Sequence, residues 1–320
     1  MKHIGKILLA LLLCAGMLAS FGAPALAERD LVAEAETIEF DPDAYTDILL
    51  DVPYLDDGEK YHMVDLYGTQ TAESPLPVLV SIHGGAFFGG SRGTNTKHSI
   101  FFAERGYAVV NTDYARIPRH GDFKTAVQDL FASYHWIAEH AEEYHLDLNN
   151  IFLHGDSAGG FYAILTVAIF SSPELQEYFG VTLPDFTFRA CVTTCPVADI
   201  MGLREGLEQE EGFAAFTANK IGSDILLNDD LMNHLDLMQN VPAEAFEGLY
   251  MMTTPTDDTT GRDVVTFDAY LTEHGVAHTL MVYEGVEKEL RHTFNIGDAE
   301  LPESKVANQD MVDYLNTFIQ

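Results

Sequence analysis

Seven short apolar runs punctuate the chain, at residues 61–67, 77–82, 108–112, 151–154, 188–194, 249–254 and 278–283. Stretches with helical apolar spacing lie between most of them, notably 123–144, 161–170 and 264–274, and a last one follows at 303–318. Strand and helix alternating after an opening hairpin predicts an α/β fold, with a mostly parallel central sheet flanked by helices on both faces. In such a sheet the loops that carry chemistry gather at the C-terminal ends of the strands. Two segments stand outside the alternation. Residues 28–50 precede the first strand, and residues 201–246 interrupt the pattern before the 249–254 run. The second is helical in spacing and carries Phe213, Phe216, Leu226, Leu227, Leu231, Met232, Leu235 and Met238 on what reads as an exposed surface.

The N-terminus is of another kind. Lys2 and Lys6, an apolar stretch over 7–18, and Ala25-Leu26-Ala27 describe a secretory signal peptide over residues 1–27. The apolar stretch is short for a membrane span, and Leu13 precedes Cys14 where a lipoprotein anchor needs a small residue. The expectation is an exported soluble chain, extracellular or periplasmic, with residues 28–320 forming a single domain. The net charge is −33, and the leader holds two lysines and no acid, so the mature chain stands at −35. Such a surface repels nucleic acid and anionic membranes and argues against strongly acidic polymers as substrates. Asp56-Asp57 and Asp229-Asp230 lack the spacing of a calcium-binding EF-hand loop. Cys191 and Cys195 stand four apart along the predicted 188–194 strand, about 13 Å when extended, which is beyond disulfide reach. Both are expected to be free thiols, and neither a metal nor a cofactor is indicated.

The most informative stretch is Ile151-Phe152-Leu153-His154-Gly155-Asp156-Ser157-Ala158-Gly159, a buried strand running through a Gly-x-Ser-x-Gly turn into an apolar helix. In that context the turn holds the serine in a strained conformation, and the flanking glycines remove side chains that would collide where strand meets helix. Ser157 is the candidate nucleophile. A nucleophilic serine needs donors for the negative charge that develops on the substrate oxygen. The loop His83-Gly84-Gly85-Ala86-Phe87-Phe88-Gly89-Gly90 directly follows the 77–82 strand, and its small residues let backbone N–H groups approach a substrate closely.

With these motifs the chain resembles the α/β-hydrolase carboxylesterases and lipases, near the group with an HGGG-like loop and a Gly-Asp-Ser-Ala-Gly elbow, from about residue 45 to the C-terminus. The resemblance implies the α/β-hydrolase fold and an oxyanion hole formed by the N–H groups of Gly85, Ala86 and Ala158, with Gly84 shaping the turn. Ala86 stands where many relatives have a third glycine, a change that leaves the amide donor in place. It also implies a triad in the order serine, acid, histidine. His292-Thr293-Phe294, between the 278–283 strand and the 303–318 helix, matches the family's His-x-Phe and makes His292 the candidate base. His274 and His278, at a helix end and a strand start, are expected to be structural. The acid is implied to follow the 249–254 strand by two or three residues. Asp257 fits that spacing best, with Asp258 and Asp263 as alternatives. Asp113, Tyr114 and Arg116 resemble a structural signature of these enzymes. His83 is expected to tie down the glycine loop, Asp156 to turn away from the serine toward local hydrogen bonds, and Asp129 to be a buried hydrogen-bonding group rather than a second acid. Segment 201–246 is either a cap over the site or a peripheral helical pair packed on the sheet. Phe87 and Phe88 are either pocket walls or loop anchors.

The function implied is hydrolysis of short-chain carboxylic esters through an acyl-enzyme. The partner is a small-molecule ester, and export adds acylated oligosaccharide as a natural source. An amidase or peptidase on the same scaffold, or a catalytically silent binding module, remains open at this stage.

Overall fold

Eight strands, β1 (Ile48–Pro53), β2 (Met63–Tyr67), β3 (Leu76–Ile82), β4 (Ala108–Thr112), β5 (Leu146–Asp156), β6 (Cys191–Thr194), β7 (Leu249–Thr253) and β8 (His278–Val282), pair into one sheet in the order β1-β2-β4-β3-β5-β6-β7-β8. The β1–β2 and β2–β4 pairs are antiparallel, and every pair from β4–β3 to β7–β8 is parallel. This is the mostly parallel α/β sheet that the alternation predicts. The computed structural model describes residues 29–320, so the leader expected at 1–27 lies outside the described residues. Residues Leu31–Gln320 form one compact unit. Among the described residues no single helix is long and apolar enough to cross a membrane.

Register decides what meets at the strand ends. Ile82 pairs with Gly155, Asp156 with Thr194, Thr194 with Met252, and Thr253 with Val282. The residues just beyond β3, β5, β6, β7 and β8 therefore emerge side by side along the same edge. The Ala158–Ser171 helix follows β5 and is apolar nearly all round, with Phe161, Tyr162, Ile164, Leu165 and Ile169 fully buried. A helix without a polar face belongs inside, and this one packs on β5, β6 and β3.

Local reading misses where backbone pairing outvotes side-chain pattern. Strand β1 is not anticipated, because a bulge between Leu49 and Val52, with Asp51 at φ 61°, breaks its alternation. The 151–154 run extends back to Leu146 because Leu76 and Pro77 of β3 pair with Leu146 and Asp147. The 161–170 helix begins three residues earlier, its first turn being Ala158-Gly159-Gly160. The helix expected over 123–144 ends at Glu139. Cys195 lies beyond the end of β6, with φ +44°, instead of continuing a strand.

Segment 201–246 folds as short helices, the longest being Phe213–Ile221. The surface read as exposed is mostly not so. Leu226, Leu231, Met232 and Leu235 are buried and join the main core, while Phe216 and Leu227 are more than half exposed.

Candidate active site

Ser157 sits between the end of β5 and its helix at φ 51°, ψ −119°, a backbone region that a non-glycine residue adopts only when its surroundings force it. The forcing contacts are visible. Ser157 N donates to Thr194 O at 2.9 Å, and Ser157 O accepts from Val197 N at 3.0 Å. The glycines beside it are obligatory for space. A Cβ on Gly155 would lie 2.2 Å from Gly159 O, and one on Gly159 would lie 2.1 Å from Ile82 O.

His292 comes from the loop after β8. Its Nε2 lies 2.9 Å from Ser157 Oγ, and its Nδ1 lies 3.1 Å from both carboxylate oxygens of Asp257. An ionised carboxylate only accepts, so the proton shared with Asp257 sits on Nδ1 and Nε2 is left as the acceptor for the serine hydroxyl. Asp257, just after β7, also accepts from the N–H groups of Thr259 at 2.9 Å and Thr260 at 3.1 Å and from Thr260 Oγ1 at 3.0 Å. Burial pushes its pKa up, but the His292 contact and these amides outweigh burial and hold it down at about 2. Thr256 Oγ1 donates to Leu290 O at 2.7 Å, tying the acid loop to the histidine loop.

The two other candidate acids lie elsewhere. Asp258 lines a cavity of about 600 Å³ beside His292, together with Thr256, Leu290 and Arg291. Asp263 is in the first turn of the Gly261–Glu273 helix, its carboxyl pushed up to about 7 by burial and by the charge of Asp199. Neither hydrogen-bonds to His292. His274 and His278 are also remote from it, bonded to Tyr270 O and Asp268.

The glycine loop packs directly on the elbow. A Cβ on Gly84 would lie 3.0 Å from Ser157 Cβ. Gly85, Ala86 and Phe87 follow at φ 130°, 52° and 68°, three consecutive positive values that curl the chain. Ala86 thus occupies a left-handed conformation that a third glycine would adopt without strain. Among the described residues, neither Gly85 N–H nor Ala86 N–H donates to a backbone carbonyl or side chain. Ala158 is the first helical residue after Ser157, so its N–H has no intrahelical carbonyl to bond. Phe87 is fully buried against Phe123, Phe161 and Tyr162 and anchors the loop, whereas Phe88 meets Phe216 of segment 201–246 with ring centroids 5.7 Å apart. Phe213 lies 6.5 Å from the His292 ring.

The residues expected to be structural are held in hydrogen bonds. Asp156 turns away from the serine and accepts from Gly84 N at 3.1 Å and Asn95 Nδ2 at 2.8 Å. His83 is buried between its own loop and Asp113, with Nδ1 at 2.6 Å from Gly84 O and Nε2 at 3.0 Å from Asp113. Tyr114 donates to His83 O at 2.6 Å. Asp113 in turn binds Arg92, which also reaches Asp51 and Asp65. Arg116 donates to Gly90 O at 2.9 Å, at the far end of the glycine loop. Asp129 accepts from Ala115 N at 2.9 Å and contacts His62 Nε2 at 3.2 Å.

Three participants escape sequence reading. Asn95 supports Asp156, Thr260 holds Asp257, and Cys195 abuts Asp257 and His292 together. Cys195 Sγ accepts from Thr293 N at 3.4 Å. Its donor atom, one from Asp257 and one from His292 all lie within 4.8 Å of one another. Nothing in the local pattern around Cys195 signals this, because the three residues meet only through the pairing of β6 with β7 and the loop after β8.

The sheet order, the strained serine between strand and helix, and the loops at the strand ends define an α/β-hydrolase. The chain belongs to the BD-FAE family, whose model matches residues 64–246. A crystal structure of Esterase B from Lactobacillus rhamnosis superimposes with a TM-score of 0.77 at 26% identity, covering 90% of both chains. In sequence, Lipase 2 of Moraxella sp. is 38% identical over 89 residues, and Esterase LipI of Mycobacterium tuberculosis is 35% identical over 95 residues. These matches cover 27% and 28% of this chain, and only 20% and 28% of the two relatives' own lengths.

Proposed function

We propose that this protein is a serine carboxylesterase that cleaves esters through an acyl-enzyme, with Ser157 as nucleophile, His292 as base and Asp257 as the acid that orients it. The observation that carries this reading is the unbroken chain of contacts from Asp257 to His292 Nδ1 at 3.1 Å and from His292 Nε2 to Ser157 Oγ at 2.9 Å. Similarity to proteins named as esterases and a lipase supports the choice of an ester substrate.

In the first half-reaction Ser157 Oγ attacks the ester carbonyl carbon while its proton passes to His292 Nε2. The oxygen of the tetrahedral intermediate accepts hydrogen bonds from the N–H groups of Gly85, Ala86 and Ala158, each such donor being worth about 10²–10³ in turnover. The imidazolium, stabilised by Asp257, gives its proton to the departing alcohol. In the second half-reaction His292 takes a proton from water as the water oxygen attacks the acyl carbon. The imidazolium returns that proton to Ser157 Oγ as the acyl–oxygen bond breaks, releasing the acid and free Ser157.

The finer reading is a short acyl group, consistent with Phe88, Phe213 and Phe216 crowding the site, and with 201–246 acting as a cap. Export by a leader over 1–27 and acylated oligosaccharide as a natural substrate complete the proposal. They rest on sequence pattern and resemblance. Hydrolysis of p-nitrophenyl esters from acetate to decanoate, beside Ser157→Ala, tests it. Turnover that falls with chain length and disappears in the variant is expected. Turnover on amides but not esters would replace the reading with an amidase. Failure of Ser157 to react with a fluorophosphonate would replace it with a binding module.

A further inference from the structure

We infer that Cys195, Asp257 and His292 form a binding site for a thiophilic divalent cation, Zn²⁺ or Cd²⁺, and that filling it switches the active site off. The inhibitory half of this inference rests on the function proposed above, whereas the binding half does not.

The donors are a thiol sulfur, a carboxylate oxygen and an imidazole nitrogen, a set that suits zinc and its heavier congener. They lie within 4.8 Å of one another. Tetrahedral zinc with bonds of 2.0–2.3 Å places its ligands about 3.3–3.8 Å apart, so the three need to close by about 1.5 Å at most. The fourth position is left for water, in the manner of zinc sites with three protein ligands. Each donor comes from a different loop, after β6, β7 and β8, and two tethers already hold those loops together. Thr293 N donates to Cys195 Sγ at 3.4 Å, and the one hydroxyl hydrogen of Thr260 is shared between Cys195 O at 2.8 Å and Asp257 Oδ2 at 3.0 Å. Cys195 and Asp257 are buried, and the way in is past His292, which is partly exposed and lines the cavity of about 600 Å³. Asp258 also lines that cavity, and the net charge of −33 concentrates cations around the chain.

Inhibition follows from the tautomer. His292 faces Asp257 through Nδ1 and Ser157 through Nε2, and Cys195 Sγ lies within 4.8 Å of a ring nitrogen of His292 and a carboxylate oxygen of Asp257. A cation can bond only to an Nδ1 lone pair, which requires the imidazole proton to move to Nε2. The imidazole remains neutral, the Cys195 thiol gives up one proton to solvent as the metal–sulfur bond forms, and the Nε2–H now presented to Ser157 cannot accept its proton. The Nδ1–Asp257 hydrogen bond is lost in the same step, replaced by two bonds to the metal.

The test titrates Zn²⁺ and Cd²⁺ separately into the wild-type chain, Cys195→Ala, Cys195→Ser and Cys191→Ser. Hydrolysis of p-nitrophenyl acetate is followed relative to each protein's own metal-free rate, and the ultraviolet thiolate-to-cadmium absorption is recorded in parallel. The expected result is inhibition reversed by EDTA in the wild type and Cys191→Ser, with the half-inhibitory concentration raised at least tenfold in both Cys195 variants. The cadmium absorption is expected in the Cys14→Ser, Cys191→Ser double variant, where Cys195 is the sole thiol, and this reading stands even if the Cys195 variants fail to fold. Equal metal sensitivity of Cys195→Ala and the wild type overturns the inference, as does the absence of a cadmium–thiolate band in the double variant. If the metal-free wild type hydrolyses no ester, the proposed function fails, while the cadmium band still decides the metal site.

Discussion

Replacing Asp257 with asparagine separates orientation of the base from every other contribution. The side chain keeps its shape, and the carboxylate's Oδ1 already accepts from two backbone amides, Thr259 N at 2.9 Å and Thr260 N at 3.1 Å. Those two donors hold the asparagine carbonyl at the Oδ1 position and send its NH₂ to the Oδ2 position, 3.1 Å from His292 Nδ1. The carbonyl at the Oδ1 position is also 3.1 Å from Nδ1, but wherever the NH₂ donates to Nδ1 the imidazole takes the tautomer in which Nδ1 accepts and Nε2 carries the proton. Nε2–H then faces Ser157 Oγ and cannot take its proton. A base held in the wrong tautomer costs about 10⁴ in kcat, or about 5.4 kcal/mol of barrier. The assay is steady-state hydrolysis of p-nitrophenyl acetate by the wild type, Asp257→Asn, Asp258→Asn and Asp263→Asn. KM is expected to stay within a few-fold for Asp257→Asn while kcat collapses, and Asp258→Asn and Asp263→Asn are expected to stay within tenfold of wild type. An Asp257→Asn enzyme within tenfold of wild type, or an Asp258→Asn enzyme as damaged as expected for Asp257→Asn, refutes the reasoning.

Two more outcomes follow from packing and burial. Gly159→Ala places a Cβ 2.1 Å from Ile82 O and 2.6 Å from His83 O, both rigid backbone atoms. The helix must retreat from β3, at a cost of about 1–3 kcal/mol, and calorimetry is expected to show Tm lowered by about 2–4 °C for each kcal/mol. An unchanged Tm would show that helix and strand are not in contact there. His98 is fully buried, and burial holds its pKa down at about 3 against 6.5 when exposed. The unfolded chain therefore takes up a proton that the folded chain refuses, and stability drains away as pH falls from 6.5 toward 3. At pH 4.5 the loss from this one group is about 3 kcal/mol. Urea titrations at pH 7 and pH 4.5 should show His98→Leu losing less stability than wild type over that interval by about that amount, and equal losses would contradict the burial argument.

Much of this protein is legible in one dimension. The parallel sheet is readable because strands such as β3, β4 and β5 are short apolar runs and the segments between them carry helical spacing. Ser157 is readable because a strand, a glycine-flanked turn and a helix follow one another within twenty residues, and His292 because it stands alone on the loop before the last helix. What stays hidden has a common cause, a partner distant in the chain. The bulged edge strand β1 exists because β2 pairs with it, and β5 runs back past an irregular stretch at 148–150 to Leu146 and Asp147 because Leu76 and Pro77 of β3 pair with them, which their side chains do not advertise. The apolar residues of 201–246 read as exposed because their cover, the main core, is contributed by other segments.

The sequence by itself determined the local conformations: which runs extend, where the elbow strains the serine, and which loops carry Asp257, His292 and the glycine run 84–90. The reason is that backbone sterics and apolar periodicity act over a few neighbouring residues. Only the tertiary structure decided among Asp257, Asp258 and Asp263 as the partner of His292, separated the anchored Phe87 from Phe88, which meets Phe216, and set Cys195 against Asp257 and His292. The first and last of those outcomes depend on the register of β6, β7 and β8, in which hydrogen bonds between strands dozens of residues apart bring their loops side by side.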